Sequence, residues 1–300
     1  MNNKTASLKT ISLLESHDSL YIANLKRQAN NTTFVIIATD TNDANRLYHE
    51  LSLFLPTYNI NIFDDNELLP YERLSPQKSI IASRITTLWQ ILFKKIDILI
   101  IFSHTLQNKL PPPSYIMQSV FIFNKYDKLS LEQLKKYLIL SNYTHVHQIL
   151  DAGEFSIRGG IIDIMPMINT KNISESYFIR LELFDDEIEN IQKIALSDRH
   201  VIANIEQFEL LPIREFPTDQ ASLQLFNKKF NTIFKSHTLH NNELILSGSE
   251  FYLPLFFDNI VSLFDYLVFD KTSNWQIIYY DNLNTHLLNN DNEITTILGD

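Results

Sequence analysis

Five residues of the segment 153–189 have the composition of a surface that binds another macromolecule. They are Arg158, Gly160, Arg180, Glu182 and Phe184. The segment reads as two strands, 155–161 and 179–184, joined by a polar loop. In each strand these residues alternate with apolar ones, which places them on one face. Two guanidinium groups, a large aromatic ring and a glycine that admits another backbone are typical of an interface hot spot.

The same pattern has a simpler interpretation. Phe184 could cover a second, small core layer, while Arg158 and Arg180 are merely solvated. The alternation of apolar and polar residues supports both interpretations equally.

Alternating buried strands and helices indicate the fold class around this segment. The runs 34–39 and 96–102 are apolar without polar alternation, as in a parallel sheet covered on both faces, and helical patterns lie between them. A triple proline at 111–113 breaks this pattern. We therefore predict an α/β domain with a parallel sheet, which a last buried strand at 276–280 completes.

The predicted elements divide the chain into three parts. Residues 1–119 form the first part of the α/β domain, and residues 207–300 complete it. Residues 120–206 contain a helix and mainly antiparallel strands, so we predict an inserted α+β domain there. The five candidate residues lie in this insert.

Composition and charge exclude several classes of function. The chain has 300 residues, of which 45% are hydrophobic and 20% are charged, as in ordinary globular proteins with two or three domains. A net charge of −10 argues against a surface that binds nucleic acid mainly through its phosphates. The sequence contains no cysteine, no signal sequence and no long apolar run. We expect a soluble, cytoplasmic protein that does not bind membranes.

The sequence offers no phosphate-binding loop for ATP. Such a loop needs glycines that cradle the phosphates, a lysine and a hydroxyl group that binds Mg²⁺. The chain has five glycines, none of them before or within the first strand, and no GxxxxGK[ST] sequence. We therefore expect neither ATP hydrolysis nor a bound cofactor.

Other clusters also lack the pattern of a reactive site. His145 and His147 have no further ligand at a suitable spacing, and the acidic residues of 185–189 lack the turn glycine of a calcium loop. The aromatic residues of 251–269 are not interleaved with lysine or arginine, so they are expected to form core rather than to stack on bases. We predict no metal site and no catalytic residues.

Long motifs resemble the module shared by the nucleotide-excision-repair protein UvrB and the transcription-repair coupling factors, the Mfd family. The shared motifs are GEFSIRGGIIDIMPM (153–167) and RLELFDDEIE (180–189). Further motifs favour the coupling factors: LLPYERLSPQKSIIASRITTLWQIL (68–92), LLPIREFPTDQASLQLF (210–226) and EFYLPLFFD (250–258). The segment 64–83, where UvrB carries a long aromatic hairpin for damaged DNA, is short here and has one aromatic residue, which also resembles the coupling factors.

The resemblance implies a fold, a partner and site residues. The α/β domain would be a degenerate RecA-like (P-loop-type) domain without its Walker A loop, interrupted by a UvrA-binding insert. Arg158, Arg180 and Phe184 would contact UvrA. The complete coupling factors are ATP-driven translocases on double-stranded DNA that remove stalled RNA polymerase and recruit UvrA. Their motor and polymerase-binding domains would be absent from this chain.

Two alternatives remain open at the level of the sequence. The chain could be a UvrB-type, ATP-dependent damage-binding protein. It could also be a structural clamp that masks a downstream motor, with the arginines and Phe184 facing that motor.

We predict that a fluorescent ATP analogue with Mg²⁺, titrated against the 300-residue chain, shows no saturable change in anisotropy. The physical reason is that no glycine-rich backbone and no loop lysine are available for the phosphates. Saturable binding that unlabelled ATP reverses would contradict this prediction and favour the UvrB-type alternative.

Overall fold

The computed structural model describes residues 17–65, 75–167, 176–234, 248–269 and 274–279. Its helices are α1 (Asp18–Gln28), α2 (Thr41–Phe54), α3 (Lys78–Leu92), α4 (Pro113–Gln118), α5 (Leu131–Leu140), α6 (Gln220–Ile233), α7 (Leu253–Phe256) and α8 (Leu263–Leu267). Its strands are β1 (Thr33–Ala38), β2 (Ile60–Phe63), β3 (Ile98–Phe102), β4 (Phe121–Asn124), β5 (Thr144–His145), β6 (Glu154–Arg158), β7 (Ile161–Ile164), β8 (Tyr177–Phe184), β9 (Glu187–Ala195), β10 (Val201–Asn204), β11 (Gln207–Leu210) and β12 (Trp275–Tyr279). Within these ranges, every helix is too short or too polar to cross a bilayer.

The chain divides into two compact units, and the first comprises residues 1–62, 96–103 and 273–300. Its described part contains a sheet in the order β12-β1-β3-β2, and β1 pairs in parallel with both β12 and β3. β1 and β3 are buried along almost their whole length, as expected for strands covered on both faces. The predicted mixed α/β fold with a parallel sheet is confirmed.

The last strand differs from its prediction. The run 276–280 was expected to be a buried strand, but in β12 every residue is at least partly exposed. β12 is the outermost strand in the order of its sheet, with β1 on one side only. An apolar run predicts a strand, but it does not distinguish a central position from an edge.

The second unit comprises residues 63–95 and 104–272. Its described part contains a sheet in the order β10-β9-β8-β7-β6-β5, in which the pairs from β6 to β10 are antiparallel. One face of this sheet packs on α5 through a continuous apolar core that includes Leu134, Leu138, Ile162, Ile179 and Leu181. A separate antiparallel pair, β4 with β11, joins residues 121–124 to residues 207–210.

The predicted strand 155–161 is wrong. The chain forms a hairpin instead, in which β6 ends at Arg158 and β7 begins at Ile161. Gly159 occupies the turn with φ +61°, a left-handed conformation that glycine adopts without steric cost. The turn returns the chain, so Ile161 pairs with Arg158 and is 38% exposed instead of lying in the apolar core.

The boundaries of the two units differ from those of the three predicted parts. The predicted insert 120–206 falls within the second unit, which also contains 104–119 and 207–272. The division at 119 and 206 therefore stays a prediction. The sequence also predicts a helix within 1–30 and a loop at 236–247. The whole of this loop, and parts of the helix and of the short segment 64–83, lie outside the described residues.

Candidate docking surface

The face of the six-stranded sheet opposite α5 carries four of the five predicted site residues, and Gly160 lies in the turn between β6 and β7. The strand pairing aligns Ser156, Asp163, Arg180 and Gln192 in one row across β6 to β9. The next row contains Arg158, Ile161, Glu182 and Asn190. Successive rows on one face are two residues apart along each strand. We call this set of eight residues, together with Phe184 beyond it on β8, the arginine face.

A buried carboxylate joins the two arginines. Asp163 lies in the middle strand β7 and is 1% exposed. Arg180 donates Nε to Oδ1 at 2.7 Å and Nη2 to Oδ2 at 3.0 Å, which is a bidentate arrangement. Arg158 donates Nη2 to the same Oδ2 at 2.9 Å. The two predicted site arginines are therefore brought together by a residue between them.

The guanidinium groups remain accessible although both are paired. The side chain of Arg158 is 55% exposed and that of Arg180 is 26% exposed. The hydrogen bond with Asp163 raises the pKa of Arg180 above its ordinary value, although burial acts in the opposite direction. Arginine is charged at neutral pH, so the two side chains present cations at the surface of an acidic chain, whose net charge is −10.

A small apolar cluster supports the arginine face at one end. It consists of Ile149, Met165, Phe178 and Ile194, all of them buried. The guanidinium of Arg180 lies 5.7 Å from the ring centre of Phe178, and Arg199 lies 4.9 Å from the same ring. The packed cluster and its cation–π contact with Arg180 restrict where the Arg180 side chain can lie.

Phe184 lies at the opposite, solvent-exposed end of β8. Its side chain is 75% exposed. Phe184 therefore does not cover the small apolar cluster, contrary to the simpler interpretation. The turn that follows is tied to a neighbouring segment, because Leu129 donates its amide to the carbonyl of Asp186 and Ile188 donates to Asp127. An exposed phenylalanine on a tethered hairpin is available for contact with another molecule.

Glu182 and Gly160 complete the predicted set. Glu182 accepts a hydrogen bond from Nδ2 of Asn190 at 3.1 Å. Gly160 accepts the amide of Leu183 at 2.7 Å, and a Cβ atom at this position would lie 2.7 Å from the carbonyl oxygen of Leu183. The glycine therefore permits the close approach of β8 to the start of β7. Its contact with a partner's backbone stays a prediction.

Asp163 is not among the site residues predicted from the sequence. The residue is the one ionisable side chain in the apolar run IIDIM (161–165), and this isolation is the signal that could have identified it. Reading 155–161 as a single strand concealed the turn and therefore the pairing of Ser156 with Asp163.

Among the described residues, no group of three or more His, Cys, Asp or Glu side chains is arranged to hold a metal ion. Asp185, Asp186 and Glu187 are exposed at the tip of the β8–β9 hairpin, where Lys128 pairs with Asp186 at 3.3 Å.

The class of this domain follows from its similarity to a known family. Residues 121–216 match the model of the UvrB interaction domain family. This range contains the whole arginine face and begins and ends close to the β4–β11 pair.

The chain is also similar to transcription-repair-coupling factors. It is 33% identical to the factor of Haemophilus influenzae over 85% of the chain, and 32% identical to that of Escherichia coli over 77%. The factor of Bacillus subtilis is 23% identical over 85% of the chain. These alignments cover 22%, 20% and 23% of the respective relatives, so the chain spans about a fifth of their length. The predicted relationship to the transcription-repair coupling factors is confirmed.

We predict that Gly160→Asn lowers the free energy of unfolding by about 1–3 kcal/mol, because a Cβ atom at this position would lie 2.7 Å from the backbone oxygen of Leu183, which is closer than van der Waals contact. Gly159→Asn is the matched control: a Cβ atom there has no heavy atom within 4 Å, and asparagine tolerates the left-handed conformation. Urea unfolding of both variants measures the difference. Equal losses of stability in the two variants would contradict the close approach at Gly160.

Proposed function

We propose that this chain is the adaptor region of a transcription-repair coupling factor, which recruits UvrA to sites where RNA polymerase has stalled. The observation that carries the proposal is the arginine face, with two accessible guanidinium groups and an exposed phenylalanine on one side of the domain that matches the UvrB interaction family. The similarity to coupling factors over most of the chain supports the setting in transcription-coupled repair.

The proposed mode of binding is docking of a folded surface. Arg158 and Arg180 donate charge-assisted hydrogen bonds to carboxylate or carbonyl oxygens of UvrA, while Phe184 enters an apolar pocket. Along β8, Phe184 is four residues from Arg180, or about 13 Å at the rise of an extended strand. Three anchor side chains spread over this distance fit within a protein–protein interface of standard size.

The first unit has a supporting role in this proposal. Its parallel sheet is consistent with a degenerate RecA-like domain that has lost its phosphate loop, and the absence of GxxxxGK[ST] from the sequence supports that assignment. ATP-driven translocation, contact with RNA polymerase and contact with double-stranded DNA are proposed for the complete coupling factor and not for these 300 residues.

We predict that Phe184→Ala and Arg180→Ala each weaken the binding of purified UvrA by about thirtyfold, because truncation of an anchor costs about 2 kcal/mol or more. Biolayer interferometry with the immobilised 300-residue chain measures the dissociation constants. Phe184→Ala is the cleaner variant, since a side chain that is 75% exposed leaves no cavity when truncated.

Matched controls are available on other elements. Phe264→Ala truncates a phenylalanine that is 40% exposed on α8, and Arg27→Ala removes an exposed arginine of α1. Both controls are expected to bind UvrA as the unchanged chain does. Undiminished binding by folded Phe184→Ala and Arg180→Ala variants would refute the proposed docking surface.

A further inference from the structure

The arginine face contains one ionised group that could not contact a partner directly. Asp163 is 1% exposed, and both of its carboxylate oxygens are engaged by arginines from the two flanking strands. Beside it, the hydroxyl of Ser156 is buried and has no hydrogen-bond partner among the described residues. Nothing else in the described part of the chain hydrogen-bonds to the carboxylate of Asp163, so the two guanidinium groups provide its neutralisation.

We infer that Asp163 is a positioning residue, which holds the guanidinium groups of Arg158 and Arg180 side by side as a preformed receptor for carboxylates of the partner. The inference rests on the proposed function, because it concerns the same docking surface. Arg180 uses Nε and Nη2 for Asp163, and Arg158 uses one Nη2. Within the described residues, neither guanidinium group makes a further hydrogen bond, and the two side chains are 55% and 26% exposed.

The benefit to binding is entropic. A free arginine side chain samples many rotamers, and a partner must immobilise it on docking. In this chain Asp163 has already fixed both guanidinium groups before the partner arrives. The carboxylate also lowers the positive charge of the cluster, which by itself would slow association. When Asp163 is neutralised, the loss of positioning is expected to speed dissociation, whereas the gain in positive charge is expected to speed association. Measuring the two rate constants separates these effects.

The test uses Asp163→Asn, which keeps the shape of the side chain and removes its charge. We expect the affinity for UvrA to fall about tenfold through faster dissociation, while the association rate stays the same or rises. Glu132→Gln is the control for the loss of one negative charge, because Glu132 is exposed in the first turn of α5 and does not contact the arginines. Thermal melts by circular dichroism establish that each variant is folded.

A mutant cycle distinguishes positioning from a general structural effect. If Asp163 acts through the two arginines, adding Asp163→Asn to the double variant Arg158→Ala/Arg180→Ala weakens UvrA binding no further. Additive losses, or an unchanged dissociation rate in Asp163→Asn, would overturn the inference while leaving the docking proposal in place. Failure of the unchanged chain to bind UvrA would overturn the proposed function and this inference with it.

A measurement on the unchanged chain covers the case in which Asp163→Asn does not fold. In ¹H–¹⁵N spectra at neutral pH, the Nε–H of Arg180 is expected to give a distinct, slowly exchanging signal, since it donates to a buried carboxylate at 2.7 Å. An averaged signal, shared with the solvated arginines, would show that Arg180 is not held and would overturn the inference.

Discussion

The need to neutralise a buried carboxylate constrains the geometry of the arginine face. Asp163 is 1% exposed in a central strand, and an unpaired carboxylate at such a position would be strongly destabilising. Its two cations come from the strands on either side, Arg158 from β6 and Arg180 from β8. A shift of β7 by one residue would turn Asp163 towards the apolar core. The ion cluster therefore fixes the register of three strands and the positions of both guanidinium groups together.

The two faces of the same sheet have different tasks. One face packs against α5 and supplies a large apolar core, whose burial stabilises the domain. Along the strands, the other face carries first the small apolar cluster around Phe178, then the ion cluster at Asp163 and finally the exposed Phe184. Because the stability resides mainly on the first face, the second can carry exposed aromatic and charged groups. This arrangement is typical of a binding surface built on a rigid scaffold.

Local patterns predicted much of this structure. Alternation in 179–184 placed Arg180, Glu182 and Phe184 on one face of β8, and apolar runs identified the parallel strands β1 and β3. The predictions that were wrong depend on pairing between segments that are separate in the sequence. A glycine pair read as strand residues concealed the hairpin at Gly159, and an apolar run did not reveal that β12 is an edge strand. Asp163 was missed because its role depends on pairing across three strands, which no sequence interval shows.

Hydrogen–deuterium exchange of the 300-residue chain, alone and saturated with UvrA, tests most directly whether the arginine face is a docking surface. The proposed function predicts slower exchange in peptides that cover β6 to β9, residues 154–195, and unchanged exchange in residues 18–62 of the first unit. Protection located in the first unit, with residues 154–195 unchanged, would contradict it.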